Sequence, residues 1–193
     1  GAVIFCNIPQ LLYWKLVGGE WVILNLHTED IVLSDPNLYD FLFSYRKGWL
    51  LYSPLFLILP FGFWLMYKRN RTLFWAILSF TFIYTYVMSA WECWWYAHSF
   101  GQRVMVDVYP IIAIPLVFVI DALRTRITQI GAGVFLLLCL GLSLFQSEQI
   151  RLGIIHSERM TKEHYWLVFG KLDPKDVHHR YLLIDRNDLD WPK

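Results

Sequence analysis

Three stretches of this chain concentrate side chains able to do chemistry. The densest runs Trp91-Glu92-Cys93-Trp94-Trp95-Tyr96-Ala97-His98-Ser99-Phe100-Gly101-Gln102-Arg103 and continues to Asp107-Val108-Tyr109-Pro110. Three Trp and one Tyr within six residues suit stacking on the apolar face of a sugar or contact with lipid. A belt of interfacial aromatics explains them almost as well. Arg103 has the fork to hold a phosphate; on a helix it would also pair with Asp107, four residues on. Glu92 and His98 have the chemistry of an acid, a base or a metal ligand, although a lone histidine is more often plain hydrogen-bonded structure.

The second stretch is Phe43-Ser44-Tyr45-Arg46-Lys47-Gly48-Trp49-Leu50-Leu51-Tyr52-Ser53-Pro54. Its adjacent cations suit a lipid headgroup or a phosphate, Arg46 as a bidentate fork and Lys47 as a point charge. Interface anchoring beside Trp49 is an equal alternative. The third stretch, from Gly18-Gly19-Glu20 to Asp40, carries Glu29-Asp30 and Asp35. Such acids can take a divalent cation or act as a base, yet solvated loop acids are the commoner case. No cofactor is read; a divalent cation stays open. His178-His179 beside Asp176 is one adjacent pair, a weak metal signal. The chain has no GxSxG, P-loop, HExxH or GxGxxG motif.

The elements that must position these residues follow from composition. Of 193 residues, 56% are hydrophobic, 18% aromatic and 17% charged, against roughly a quarter charged in ordinary soluble domains. Mean hydropathy is +0.40. From Glu148 onward the chain holds 8 of its 17 Lys+Arg and 8 of its 16 Asp+Glu, so the preceding part is sparsely charged. That excludes a disordered chain, a coiled coil and a conventional soluble enzyme. A net charge of +1 leaves no basic stripe for nucleic acid. Cys6, Cys93 and Cys139 show no CxxC or metal-ligand spacing and read as small hydrophobes.

A membrane span needs ~20 apolar residues to cross ~30 Å of hydrocarbon. Spans are predicted at about 1–17, 48–67, 72–91, 105–122 and 127–147. Pro9, Pro54, Pro60, Pro110 and Pro115 are tolerable in membrane helices whose neighbours satisfy the freed carbonyls. The chain begins at Gly1 in an apolar stretch with no basic n-region, which reads as a fragment or processed product with a truncated first span. The fold class is thus an all-α membrane protein of about five transmembrane helices, with a short mixed C-terminal tail over 148–193.

Short-loop cations set the orientation. Lys68-Arg69-Asn70-Arg71 and the connection bearing Arg124 and Arg126 both belong on the cytoplasmic side, two spans apart. Outer loops 18–47 and 92–104 and the tail are then exoplasmic, and the setting is a cytoplasmic (inner) membrane crossed several times. Arg46, Lys47 and Arg103 sit against this bias, as cations retained for binding would. In the tail, residues 157–170 read as a short amphipathic helix ending at Gly170. Tyr181-Leu182-Leu183-Ile184 reads as a strand or a docking segment. The tail is too small for an independent core, so it is expected to pack on the outer loops.

Several of these runs resemble a known group. Pro9-Gln10-Leu11-Leu12-Tyr13-Trp14-Lys15, the Phe43–Pro54 stretch, Trp94-Trp95-Tyr96 with Ser99-Phe100-Gly101-Gln102-Arg103, and Asp107-Val108-Tyr109-Pro110 look like the C-terminal half of bacterial GT-C-type, protein mannosyltransferase-like membrane glycosyltransferases. So does the tail from Gly153-Ile154-Ile155-His156 through Met160-Thr161-Lys162-Glu163-His164-Tyr165-Trp166. The resemblance implies a polyprenyl-phosphate-linked sugar donor and transfer on the exoplasmic face. It also implies that the N-terminal half of the same protein, with its catalytic acid in a first outer loop, is missing here. No catalytic residue carries over. Arg103, Gln102, Arg46, Lys47, Tyr45, Trp95, Tyr96, His98 and Asp107 are the candidates for holding substrate or lipid phosphate; His98 stands where that group often has glycine. A different class of function also fits: a non-catalytic multi-pass subunit binding a protein or lipid partner through its aromatic outer loops. A transporter fits less well, because the spans have uncharged interiors.

Overall fold

The computed structural model of the chain describes residues 2–19, 21, 31–96, 98–173 and 181–185. Residues 1–30 with 192–193 make one compact unit and residues 31–191 another. In the first, α1 (Ala2–Gly18) is one 17-residue helix containing Pro9. The Lys15 ammonium donates to Gly19 O at 2.7 Å and lies 5.8 Å from the Trp21 ring centre.

The second unit is helical, and among its described residues the sole β feature is an isolated bridge between Ile31 and Trp91. Its elements are α2 (Leu38–Phe43), α3 (Trp49–Tyr52), a 3₁₀ turn (Pro54–Ile58), α4 (Leu59–Arg69), α5 (Arg71–Ser89), a second 3₁₀ turn (Arg103–Val108), α6 (Tyr109–Ile112), α7 (Ile114–Ala122), α8 (Arg126–Arg151) and α9 (Lys162–Val168).

α1 runs unbroken through Pro9, but in the second unit the prolines mark which expected spans survive as single helices. The two runs without proline, 72–91 and 127–147, form α5 with 19 residues and α8 with 26. Asn70 starts α5 by accepting from Leu73 N, and a Thr125/Thr128 capping box starts α8. The runs at 48–67 and 105–122 are broken instead. Pro54 opens a 3₁₀ turn and Pro60 opens α4, leaving only 11 residues of continuous helix there. Pro110 opens α6 and Pro115 opens α7, and the two halves of that run meet at a 52° bend. Each ring removes an N–H that the carbonyl four residues back would need. Among the described residues two helices, or three if the bent pair counts as one, are long and apolar enough to cross a membrane. That is fewer than the five expected; α1, with 17 residues, extends for only ~26 Å.

The two basic connections share one end of this unit, because Arg69 at the end of α4 forms an ion pair with Asp121 at the end of α7. The opposite end carries a packed cap. Phe41, Trp49, Phe56, Trp94, Trp95, Met105 and Ile112 bury one cluster there, and Tyr52, Ile154, Ile155, Met160, Tyr165, Val168 and Leu183 bury another. The second cluster joins the tail to the segments around Tyr52 and Phe100. The tail helix starts at its Thr161 cap, later than the periodicity suggested, because residues 157–159 turn before it. Gly170 follows the helix end at φ +81°. Residues 181–185 dock rather than form a strand: Ile184 N donates to Arg159 O and the Thr161 hydroxyl donates to Leu182 O.

Between the two ends, α5 and α8 present bare apolar surface. Phe82 is 65% exposed, Leu137 67% and Leu138 67%. In water such faces would cost about 25 cal/mol per Å²; against lipid they cost nothing, which is the setting that apolar runs of this length fit.

The closest helix approach is α4 on α7. A Cβ on Gly62 would sit 2.7 Å from Pro115 O, whereas one on Gly141 of α8 would meet nothing within 4 Å. Gly62→Ala is therefore expected to lower stability by about 1–3 kcal/mol, and Gly141→Ala to be neutral or stabilising by up to about 1 kcal/mol. Thermal unfolding of the detergent-solubilised variants measures both signs.

Candidate functional site

The cap brings several of the expected residues together around a carboxylate the sequence did not single out. Glu158 is buried, and its backbone carbonyl accepts from Arg46 Nε at 2.6 Å. The Arg46 guanidinium carbon stands 3.5 Å from the Trp95 ring centre and 5.9 Å from that of Trp94. This is a stacked cation–π contact that a planar guanidinium fits better than an ammonium. Lys47 is only 1% exposed. Its ammonium donates to both the carbonyl and the hydroxyl of Ser99 at 2.7 Å. His98 completes the group: its Nδ1 lies 2.7 Å from Ser157 Oγ and its Nε2 3.5 Å from Glu158 Oε1.

The local chain explains the geometry. Arg46 and Lys47 fall in a turn between α2 and α3, where Arg46 N donates to Ser44 Oγ. That turn aims the two side chains at different parts of the cap. Glu158 is presented by a turn whose N–H groups, from Glu158 and Arg159, donate to His156 Nδ1. Burial pulls the Lys47 pKa down from 10.5 to about 7; Glu158 opposes that shift and Arg46 adds to it.

The remaining candidates fall elsewhere. Tyr45 lies between the loop and the tail, its hydroxyl accepting from Trp166 Nε1 at 3.2 Å and its ring edge-on to Tyr165. Tyr96 adopts φ +49°, packs 4.5 Å from Trp91 and donates to Met88 O. Gln102 is buried and donates to Trp94 O, while its Oε1 has no hydrogen-bond partner among the described residues. Arg103 and Asp107 are exposed. They form no ion pair, because residues 103–108 wind as a 3₁₀ helix, in which positions four apart no longer align.

Two expectations are corrected here. Trp94 is 7% and Trp95 3% exposed, so these two rings are core rather than an open stacking platform or an interfacial belt, while Trp91 and Tyr96 are half-buried. Arg46 and Lys47 bind protein groups, and the Lys47 ammonium is closed off from solvent. Glu29-Asp30 and the Asp176, His178-His179 group lie outside the described residues, and no three His, Cys, Asp or Glu come together for a metal among those described. Sequence reasoning missed Glu158, Ser99, Gln146 and Gln149. The two glutamines had a signal: polar residues three apart in the last turns of an apolar helix mark where the hydrocarbon ends. Gln146 donates to Tyr165 Oη and Gln149 to Val168 O and Lys171 O, pinning the tail to α8.

Chemically, the cluster sets one buried carboxylate near the buried Lys47, the half-buried Arg46 and the exposed His98 imidazole, drawn from two distant segments. Its pH response follows from Lys47. Between its folded value of about 7 and its ordinary 10.5 the unfolded chain holds more protons, so stability rises with pH across that window and is lowest below it. Melting temperature is expected to climb between about pH 7 and pH 10.5, and Lys47→Met to flatten most of that climb. An equal slope in the variant would detach Lys47 from the effect.

Comparison of the chain with protein-family models, curated proteins and solved structures finds no match.

Proposed function

We propose that this chain is a membrane-embedded part of a glycosyltransferase that uses a polyprenyl-phosphate-linked sugar, with the cap on the exoplasmic side of a cytoplasmic membrane. The observation that carries the reading is Arg103. It is exposed, without a hydrogen bond or ion pair among the described residues, at the start of the bent apolar pair Arg103–Ile112 and Ile114–Ala122. An unneutralised arginine where an apolar segment meets a polar cap suits the phosphate of a lipid whose tail stays in the bilayer. In such a reaction the polyprenyl phosphate departs as the sugar transfers, and Arg103 stabilises the charge that develops on it. The general base belongs to an outer loop that the resemblance does not match to any residue here. The two basic connections joined by Arg69 and Asp121 support the orientation, since short-loop cations favour the cytoplasm.

One observation favours a second reading, a non-catalytic subunit. Tyr39, Phe43 and Trp166 on the cap are 75%, 46% and 54% exposed, an aromatic surface suited to a protein partner.

Incubating the full-length protein with polyprenyl-phosphate sugars and following consumption of the lipid-linked donor separates the two. Arg103→Ala is expected to cut transfer by about 10²–10³-fold while leaving membrane insertion unchanged. Undiminished transfer would remove Arg103 from the chemistry, and no transfer by the native protein would favour the subunit. Cys93 is buried, so topology is better read from introduced cysteines. Tyr39→Cys is expected to react with an impermeant thiol reagent in intact cells, and Arg124→Cys only after the bilayer is opened.

A further inference from the structure

Between α7, α8 and the Pro54–Ile58 turn lies a groove of about 370 Å³. That falls within the roughly 300–1,000 Å³ of sites that take small apolar ligands. Leu55, Ile58, Val119, Leu123, Phe135 and Leu136 line it. Its one polar lining side chain, Gln129, is turned onto backbone, donating to Leu123 O at 3.0 Å. At Gly133 of α8 the groove has room to spare, since a Cβ there would meet nothing within 4 Å. A cavity with no polar partners does not hold water, so at membrane depth its natural occupant is a hydrocarbon chain.

The mouth of the groove says which lipid. Leu123 leads directly into Arg124-Thr125-Arg126, and both arginines are exposed with no hydrogen bond or ion pair among the described residues. The acid nearest in sequence, Asp121, is already paired with Arg69. Arg126 opens α8, whose first turn contains no acid. A cation there faces the positive end of the helix dipole, the reverse of the stabilising arrangement. The Thr125/Thr128 box satisfies the cap's hydrogen bonds without supplying negative charge. Two guanidiniums and a helix N-terminus therefore share one corner without a counter-charge, at the end of an apolar slot.

We infer that the α7–α8 corner binds an anionic phospholipid, with one acyl chain in the groove and the phosphate on Arg124 and Arg126. The site rests on the chain spanning a membrane but not on its being a transferase, and it lies at the opposite end from Arg103.

Native mass spectrometry of the full chain, extracted from membranes and offered equimolar phosphatidylglycerol and phosphatidylcholine, tests it. The native protein is expected to retain phosphatidylglycerol roughly tenfold in preference. The double substitution R124Q/R126Q should bring that ratio near unity, and Gly133→Phe should reduce retention of both lipids. R151Q, at the cap end, serves as the charge control and should leave the ratio unchanged. Equal retention by the native protein, or a preference that survives R124Q/R126Q, would overturn the site. So would equally tight binding of soluble glycerophosphate, or disulfide-linked dimers of a Gly133→Cys variant in place of lipid retention. Recovery of the chain in the alkali-resistant membrane fraction is read alongside: its absence sinks the spanning reading as well, whereas insertion without lipid preference sinks the site alone.

Discussion

The cap depends on a carboxylate and an ammonium taken out of water together, with the half-buried Arg46 beside them. Glu158 reaches the loop that carries Arg46 and Lys47 across more than a hundred residues of sequence. Desolvating such groups is expensive, and a buried ion cluster seldom gains much over an apolar replacement. The net drive therefore comes from the rings and aliphatic chains around it: Tyr52, Ile154, Ile155, Met160 and Tyr165 are each nearly inaccessible, and each contributes about 1.5–3 kcal/mol on burial. What the charges add is register. Apolar packing tolerates sliding, but Arg46 over Trp95, Lys47 on Ser99 and Glu158 at the end of its turn fit together in one arrangement. Arg46 on Glu158 O, Lys47 on Ser99 and His98 on Ser157 each join a different pair of segments, which couples the loop at 43–49, the loop at 92–102 and the tail into one body.

The helices were legible wherever the chain lacked proline. The apolar runs that became α5 and α8 were placed to within a few residues, since uniform apolarity and a capping residue at each start suffice to define them. The runs at 48–67 and 105–122 had the same composition but not the same outcome. Hydropathy averages over a window and does not register that Pro54, Pro60, Pro110 and Pro115 each delete one backbone donor. Whether such a deletion bends a helix or ends it depends on neighbours. Here α4 and α7 pack through Gly62 and Pro115, so the close contact favours short, offset segments over two continuous rods.

The candidate site was legible as a list of residue types and illegible as an arrangement. Arg46, Lys47, Trp95 and His98 do meet, because turns at fixed positions bring them to one end. Their partner Glu158 could not be found by spacing, since a separation of 112 residues leaves no local periodicity to read. Tryptophan was the most misleading signal. At a membrane boundary it serves equally as belt, platform or core, and the choice turns on whether something covers it. Arg46 and the loop itself cover Trp95, while Trp166 of the tail stays half exposed. The i,i+4 reading of Arg103 and Asp107 failed for a simpler reason: the segment winds three residues per turn, so the pair points apart.

These ends and the stretch between them have different physical duties. The cap is dense, ring-rich and held by polar contacts at 2.6–3.5 Å, a construction suited to water on one side and lipid beneath. The helices that lead away from it expose Leu, Ile and Phe along their length, a construction that an apolar solvent suits. At the far end the charges are almost all positive: Lys68 lies over Trp64, Arg71 near Tyr67, and Arg69 takes up the single acid. An aromatic ring under each cation is how a long basic side chain keeps its stem in hydrocarbon and its head in water. The run from Arg103 to α7, like the one from α3 to α4, passes between the two ends through broken helix, and in an apolar solvent broken backbone is tolerated only where protein or a polar cavity covers it. Tyr84 supplies part of that cover, donating to Val104 O, so the 3₁₀ start of the run is held from α5 rather than left to the solvent.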